Sequence, residues 1–219
     1  MLPKVIIHNS VSLDGSLTGF EPKMGLHYQI AGNYKPAVHL IGSNTAKVGV
    51  KLFGNGVPPE EETDFEKPKR DKSLPYWAIP DTQGILKVIL HVCRRFEFCK
   101  DVVVLISEAT PKDYVEYLEQ REYNSYVVGK HHVDLRQALE LLSAEFKAKK
   151  VLTDTGRILG NLLLEQGLVD EVSLLVHPII VGEKSYNIFG NISKNPALKL
   201  QKQETLENGY AWLVYKVKN

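Results

Sequence analysis

Residues 151–182 read VLTDTGRILGNLLLEQGLVDEVSLLVHPIIVG, and two periodicities alternate along them. The apolar run 150–153 predicts a strand. Asp154, Thr155 and Gly156 follow, two candidate N-cap side chains and one position free of Cβ restraint, so a helix should begin there. Ile158, Leu159, Leu162, Leu163 and Leu164 recur at helical spacing on one buried face, and Gly167 stands where a C-cap belongs. Residues 172–181 are too apolar and too β-branched for an exposed helix and predict a buried strand stopped by Gly182. The result is a β-α-β unit. Its turn at Thr155 to Ile158 places backbone N–H groups and the positive end of a helix dipole at the carboxyl end of a strand, where an anion such as a dinucleotide pyrophosphate fits.

The preceding chain repeats this grammar. Residues 5–7 predict a strand that runs through Ser10 and Val11 into the turn Ser12-Leu13-Asp14-Gly15, and residues 25–36, with His27, Tyr28 and Tyr34, a short helix or turn. A strand at 38–41 leads through Gly42-Ser43-Asn44-Thr45 into a second helix. Residues 76–79 predict a strand followed by a turn at Pro80-Asp81-Thr82, and residues 85–98 a helix. The continuous apolar run 102–106 suits a strand buried on both faces, and Ser107 to Pro111 leads into a helix through Arg121. A strand at 125–128 and a helix at 135–146 complete the alternation. Near the end, residues 198–206 and 210–217 alternate around Asn208-Gly209, a strong hairpin signal. The fold class expected is α/β, a mainly parallel central sheet flanked by helices with an antiparallel C-terminal hairpin, in one domain over residues 1–219.

With 219 residues the chain can bury roughly 70–75% of its unfolded surface. A net charge of +1, with no basic stripe interleaved with aromatics, gives no reason to expect a nucleic-acid partner. No apolar run reaches about 18 residues and no signal-peptide core precedes the first strand, so the expected setting is cytoplasmic, away from membranes. Cys93 and Cys99 match neither a zinc knuckle nor a redox pair and read as reduced core thiols. The seven histidines are scattered and predict no metal site. Residues 55–73 carry Pro58-Pro59, then an acidic run and a basic one. They predict a solvated loop, with a lid as the alternative.

The run Asp154-Thr155-Gly156-Arg157-Ile158-Leu159, with Gly167-Leu168-Val169-Asp170-Glu171 and Pro178 to Gly182, resembles the RibD C-terminal family, dihydrofolate-reductase-like reductases of riboflavin biosynthesis. Ser12-Leu13-Asp14-Gly15, Gly42 with Thr45, and Asp81-Thr82 match further motifs of that family in order. Three departures stand out: Thr155 replaces the first Gly of an acidic-Gly-Gly pattern, Gly49 replaces an Asp, and the Arg that holds the substrate's phosphate is missing.

The resemblance implies a dihydrofolate-reductase-like fold and NADPH as cofactor, used to reduce the ribosyl group of a (di)aminopyrimidinone ribosylamine 5′-phosphate to ribityl. It places the cofactor at Ser10, Val11, Gly42, Thr45, Asp81, Thr82, Ser107, Gly156, Arg157, Ile158 and Leu159, with Arg157 a candidate for the 2′-phosphate. The substrate falls to Ser12, His27, Tyr28 and Asp154, and Asp154 and Asp14 are the candidate catalytic carboxylates. A small-molecule substrate and a homodimer are expected. Reduction of another pterin-like, carbonyl or imine substrate, or nucleotide binding without catalysis, are the alternatives.

Overall fold

The computed structural model describes residues 1–53 and 57–218. Along the chain run β1 (Lys4–Ser12), α1 (Met24–Asn33), β2 (Val38–Leu40), α2 (Ser43–Phe53), β3 (Tyr76–Pro80), α3 (Leu90–Arg95), β4 (Val102–Ile106), α4 (Lys112–Gln120), β5 (Asn124–Val127), α5 (Leu135–Glu145), β6 (Lys150–Thr153), α6 (Arg157–Glu165), β7 (Glu171–His177), β8 (Ala197–Thr205) and β9 (Ala211–Lys218). They form two compact units: Ala37–Lys149 with the first three residues, and Lys4–Pro36 with Lys150–Asn219.

In the first unit the strands lie in the order β5-β4-β3-β2, all parallel. Every residue of β4 is buried, which is why Val-Val-Val-Leu-Ile shows no alternation. Its main core gathers Ile79, Leu86, Leu90, Val104, Tyr114 and Leu118. Cys93 and Cys99 are free and buried there, with burial pushing the Cys93 thiol up to about 12.

Two expectations for this unit are corrected. The helix expected over 85–98 is confined to Leu90–Arg95, because Val88 takes φ 67° and residues 85–89 form turns instead. The expected solvated loop is fastened down over its described part, residues 54–56 lying outside the description. Glu60 takes a bidentate bond from Arg121 at 2.7 Å on each arm, and Asp64 pairs with Arg95. Arg70 donates to the carbonyls of Arg94, Arg95 and Phe96. Beneath them Arg94, only 3% exposed, holds Asp101 at 2.9 Å and donates to the carbonyls of Asp64, Glu66, Arg121 and Glu122.

In the second unit the order is β6-β1-β7-β9-β8, with β6, β1 and β7 parallel and β9 and β8 antiparallel. The hairpin turns through Asn208 and Gly209 with φ of 61° and 79°, the left-handed pair that an Asn-Gly turn favours. Asp170, of the Gly-Leu-Val-Asp-Glu run, accepts the Val5 N–H at 2.8 Å, while its carbonyl takes the Val217 N–H. One residue thus ties together the ends of β1, β7 and β9.

The β-α-β unit forms as the sequence predicts, with local corrections. The N-cap of α6 is Gly156, in extended backbone, rather than Asp154 or Thr155. Its far end is a Schellman turn: Gly167, φ 65°, donates to Leu164 and Leu168 donates to Leu163. The strand expected to reach residue 181 stops at His177, since Pro178 lacks the N–H to continue the ladder. Residues 178–181 instead meet the turn after β1, where Leu13 N donates to Ile179 O at 2.8 Å.

Candidate active site

Within each unit, taken by itself, expected site residues lie at the carboxyl ends of parallel strands, the edge at which such sheets bind ligands. In the first unit Gly42 and Thr45 follow β2, Asp81 and Thr82 follow β3, and Ser107 follows β4. Two of these side chains are already engaged. Asp81 is buried, and its carboxylate accepts the Ile85 and Leu86 N–H groups and the Tyr114 hydroxyl at 2.9–3.1 Å. The buried Ser107 hydroxyl accepts from Ala109, shaping its own turn. Their N–H groups are engaged as well, that of Asp81 with the Leu105 carbonyl and that of Ser107 with the Thr110 hydroxyl oxygen.

In the second unit β1 supplies His8, Ser10 and Ser12 on one face, and in register β7 supplies Ser173, Leu175 and His177. Helix α1 brings His27. Hydrogen positions follow from the partners. Trp212 has only an N–H to give, and gives it to Ser173 Oγ at 2.9 Å; Ser173 then donates to His8 Nδ1, also at 2.9 Å. His8 Nε2 carries the single ring N–H proton and donates it to the His27 carbonyl at 3.2 Å. His8 is fully buried and neutral, its pKa driven down to about 3 by desolvation and then by the neighbouring His27.

His27 sits over His8 with ring centroids 4.5 Å apart. Its Nδ1 lies 3.1 Å from Ser10 Oγ, and its Nε2 lies 3.8 Å from Asp154 Oδ2, just past the end of β6. Tyr28 meets the His27 ring edge-on at 5.1 Å. The Tyr28 hydroxyl is pushed up to about 12 by desolvation and by the charge of Asp154, although 41% of the residue faces solvent. His177 lies between the rings of Phe20 and Tyr210, and burial, then the charge of His27, lowers its pKa. The structure therefore brings Ser10, His27 and Asp154 together, three of the residues expected at the site, and Tyr28 beside them.

Asp14 is placed differently. Its carboxylate takes the Ser12 hydroxyl at 2.6 Å and the backbone N–H groups of Val181 and Gly182 at 3.1 and 2.9 Å. These bonds, the Ser12 one foremost, hold its pKa down at about 2. Asp14 clamps two loops together. Gly15, φ 79°, belongs to the same clamp, since a Cβ there would stand 2.9 Å from the Asn187 amide nitrogen.

Thr155 is buried, and its φ is not positive, so the departure from Gly brings no backbone strain. Arg157 stacks its guanidinium 3.9 Å over the Tyr186 ring. Of its neighbours on α6, Ile158 is 58% exposed whereas Leu159 is buried. Val11 is buried in β1. Asn9 Nδ2 and Thr153 Oγ1, buried on β1 and β6, have no hydrogen-bond partner.

His8, Ser173, Trp212 and His177 were not among the residues expected at the site. For His8 a signal was present: with Ser10 and Ser12 it puts a polar side chain at every second position of β1 from there on.

The RibD C-terminal domain model matches residues 3–212. A pyrimidine reductase-like protein from Corynebacterium diphtheriae superposes with TM-score 0.71 at 19% identity, over 99% of this chain and 92% of that one. The riboflavin biosynthesis reductase of Saccharomyces cerevisiae gives TM-score 0.66 at 15% identity, over 99% and 90%. Dihydrofolate reductase from Enterococcus faecalis, complexed with NADP(H), gives 0.51 at 7% identity, over 99% and 97%. The chain spans 57–59% of the longer RibD chains that it matches. No curated protein sequence matches it. The expected α/β architecture of the dihydrofolate-reductase type is present, and the chain belongs to the RibD C-terminal domain family.

Proposed function

We propose that the chain is an NADPH-dependent reductase of riboflavin biosynthesis. It converts the ribosyl group of a (di)aminopyrimidinone ribosylamine 5′-phosphate to ribityl, acting as one reductase domain over residues 1–219. The observation that carries this reading is the grouping of Asp154, His27 and Ser10 at one carboxyl strand edge, in a chain of this family.

When bound, NADPH supplies hydride. The chain's part is to hold and orient. The first turn of α6, Arg157 to Leu159, offers backbone N–H groups to its phosphates. Asn9 Nδ2 and Thr153 Oγ1 are buried polar atoms without partners on the strands leading to Gly156, and amide or phosphate oxygens of a dinucleotide would satisfy them. Asp154 meets the substrate, and Asp14 keeps the loop after β1 in shape.

Gly49 and the missing Arg favour a second reading, reduction of another small imine, carbonyl or pterin-like substrate. A homodimer is supported by uncovered apolar surface: Leu198 and Leu200 on the exposed edge strand β8, and Ile158 and Leu162 on α6. No described helix is long and apolar enough to cross a membrane, and cytoplasmic action is part of the proposal.

Oxidation of NADPH by the pure protein with the ribosylaminopyrimidinone phosphate, followed by nicotinamide absorbance beside a calorimetric titration of NADPH alone, tests the reading. Turnover supports it. Binding without turnover transfers support to the second reading, and absence of NADPH binding overturns both.

A further inference from the structure

Resting on the reductase reading, we propose that His27 is the general acid of the reaction, with Asp154 as its counter-charge and Ser10 as its partner on the other ring nitrogen. The ring is held on both sides. Ser10 Oγ stands 3.1 Å from Nδ1, and Asp154 Oδ2 stands 3.8 Å from Nε2, an ion-pair distance rather than a hydrogen bond. The His27 and Asp154 side chains are 6% and 15% exposed, so a charge on the imidazole is poorly shared with water and depends on the carboxylate.

The stacked neighbour cannot serve. Both His8 nitrogens are committed, one to Ser173 and one to the His27 carbonyl, and that imidazole stays neutral. The titratable groups facing His27 are Asp154 beyond β6, His8 on β1, Tyr28 on α1 itself and His177 on β7. Only Asp154 among them is an anion at neutral pH. The stretch from β1 to α1 thus presents one protonatable ring beside one carboxylate.

Reduction of a ribosylamine needs such a pair. The C1′ to ring-oxygen bond breaks as the nitrogen lone pair forms a C=N bond, and the ring oxygen takes the proton from His27 Nε2. Asp154 offsets the positive charge of the resulting iminium. NADPH, when bound, would supply the hydride for the new C–H bond at C1′, with the C=N π pair returning to nitrogen. His27 recovers its proton from solvent.

Two measurements test the assignment. In the protein without cofactor, the ¹⁵N resonances of the His27 ring are compared at one pH in wild type and Asp154→Asn. Loss of the facing carboxylate should move the Nε2 resonance, and an unchanged resonance would overturn the pairing. In turnover, His27→Gln should lower kcat about 100-fold or more and leave the NADPH dissociation constant within about twofold. A kcat within about threefold of wild type would overturn the acid role. If wild type fails to reduce the aminopyrimidine, the functional reading falls and the acid role with it; a ring resonance still sensitive to Asp154 would keep the pair for a different imine.

Discussion

Trp212 Nε1 donates to Ser173 Oγ at 2.9 Å, opening a chain of bonds that runs from Ser173 to His8 and on to the His27 carbonyl of α1, which can only accept and so sets the direction. Ser173→Ala would strand the indole N–H and His8 Nδ1 together in a buried place. Each lost partner costs roughly 1–3 kcal/mol, so urea unfolding should show a loss of about 2–4 kcal/mol with an unchanged m-value. Wild-type stability in the variant would mean that the chain of bonds contributes nothing.

His8 makes stability pH-dependent. Its folded pKa of about 3 lies below the ordinary 6.5, so between those values the unfolded chain binds more protons and stability rises with pH. The contribution is complete above pH 6.5 and is lost progressively as pH falls toward 3. The melting temperature of wild type should therefore drop across this window more steeply than that of His8→Gln. Parallel curves would contradict it.

Arg94 is a buried cation with every contact inside the first unit: Asp101, four carbonyls and the Tyr123 ring at 3.8 Å. Replacement by Met leaves Asp101 buried and unpaired, and the expected loss is about 3–5 kcal/mol in chemical denaturation. Limited proteolysis should then cut within residues 57–73, the segment that Arg94 and its neighbours fasten. Intact resistance to protease would refute the fastening.

Asp14→Ala removes the acceptor shared by Ser12, Val181 and Gly182. Hydrogen exchange at the Val181 and Gly182 amides should accelerate by at least about tenfold. Unchanged protection would show that other contacts hold the loops.

Arg157→Ala is expected to weaken NADPH binding more than NADH binding in paired calorimetric titrations. Equal losses would leave the guanidinium as a support stacked on Tyr186 and nothing more.

The sequence made the architecture legible wherever one physical cause dominated. Residues 102–106 could be little but a strand buried on both faces, and Asn208-Gly209 little but a turn with two positive φ values. The candidate site was legible in part, since Asp154, His27 and Ser10 were each expected there, though not as neighbours. What could not be read depended on partners far along the chain. His8 is held by Ser173, 165 residues away. The charged loop looked solvated because Arg94, Arg95 and Arg121, which fasten it, lie outside it. The end of β7 was a local matter misjudged, where the lack of one proline N–H outweighed the three apolar residues after it.

Strand β1 is the most thoroughly buried element of the second unit, and both of its partners, β6 and β7, come from the last third of the chain. The first unit, by contrast, is continuous from Ala37 to Lys149 but for three residues. Synthesis at about 5–20 residues per second therefore leaves β1 unpaired for on the order of ten seconds after it emerges, while the middle of the chain already holds everything needed to collapse. The order of folding is inverted relative to the order of translation: the centre first, then the two ends together. In that interval an apolar strand with open edges is the part of the nascent protein most in need of a chaperone.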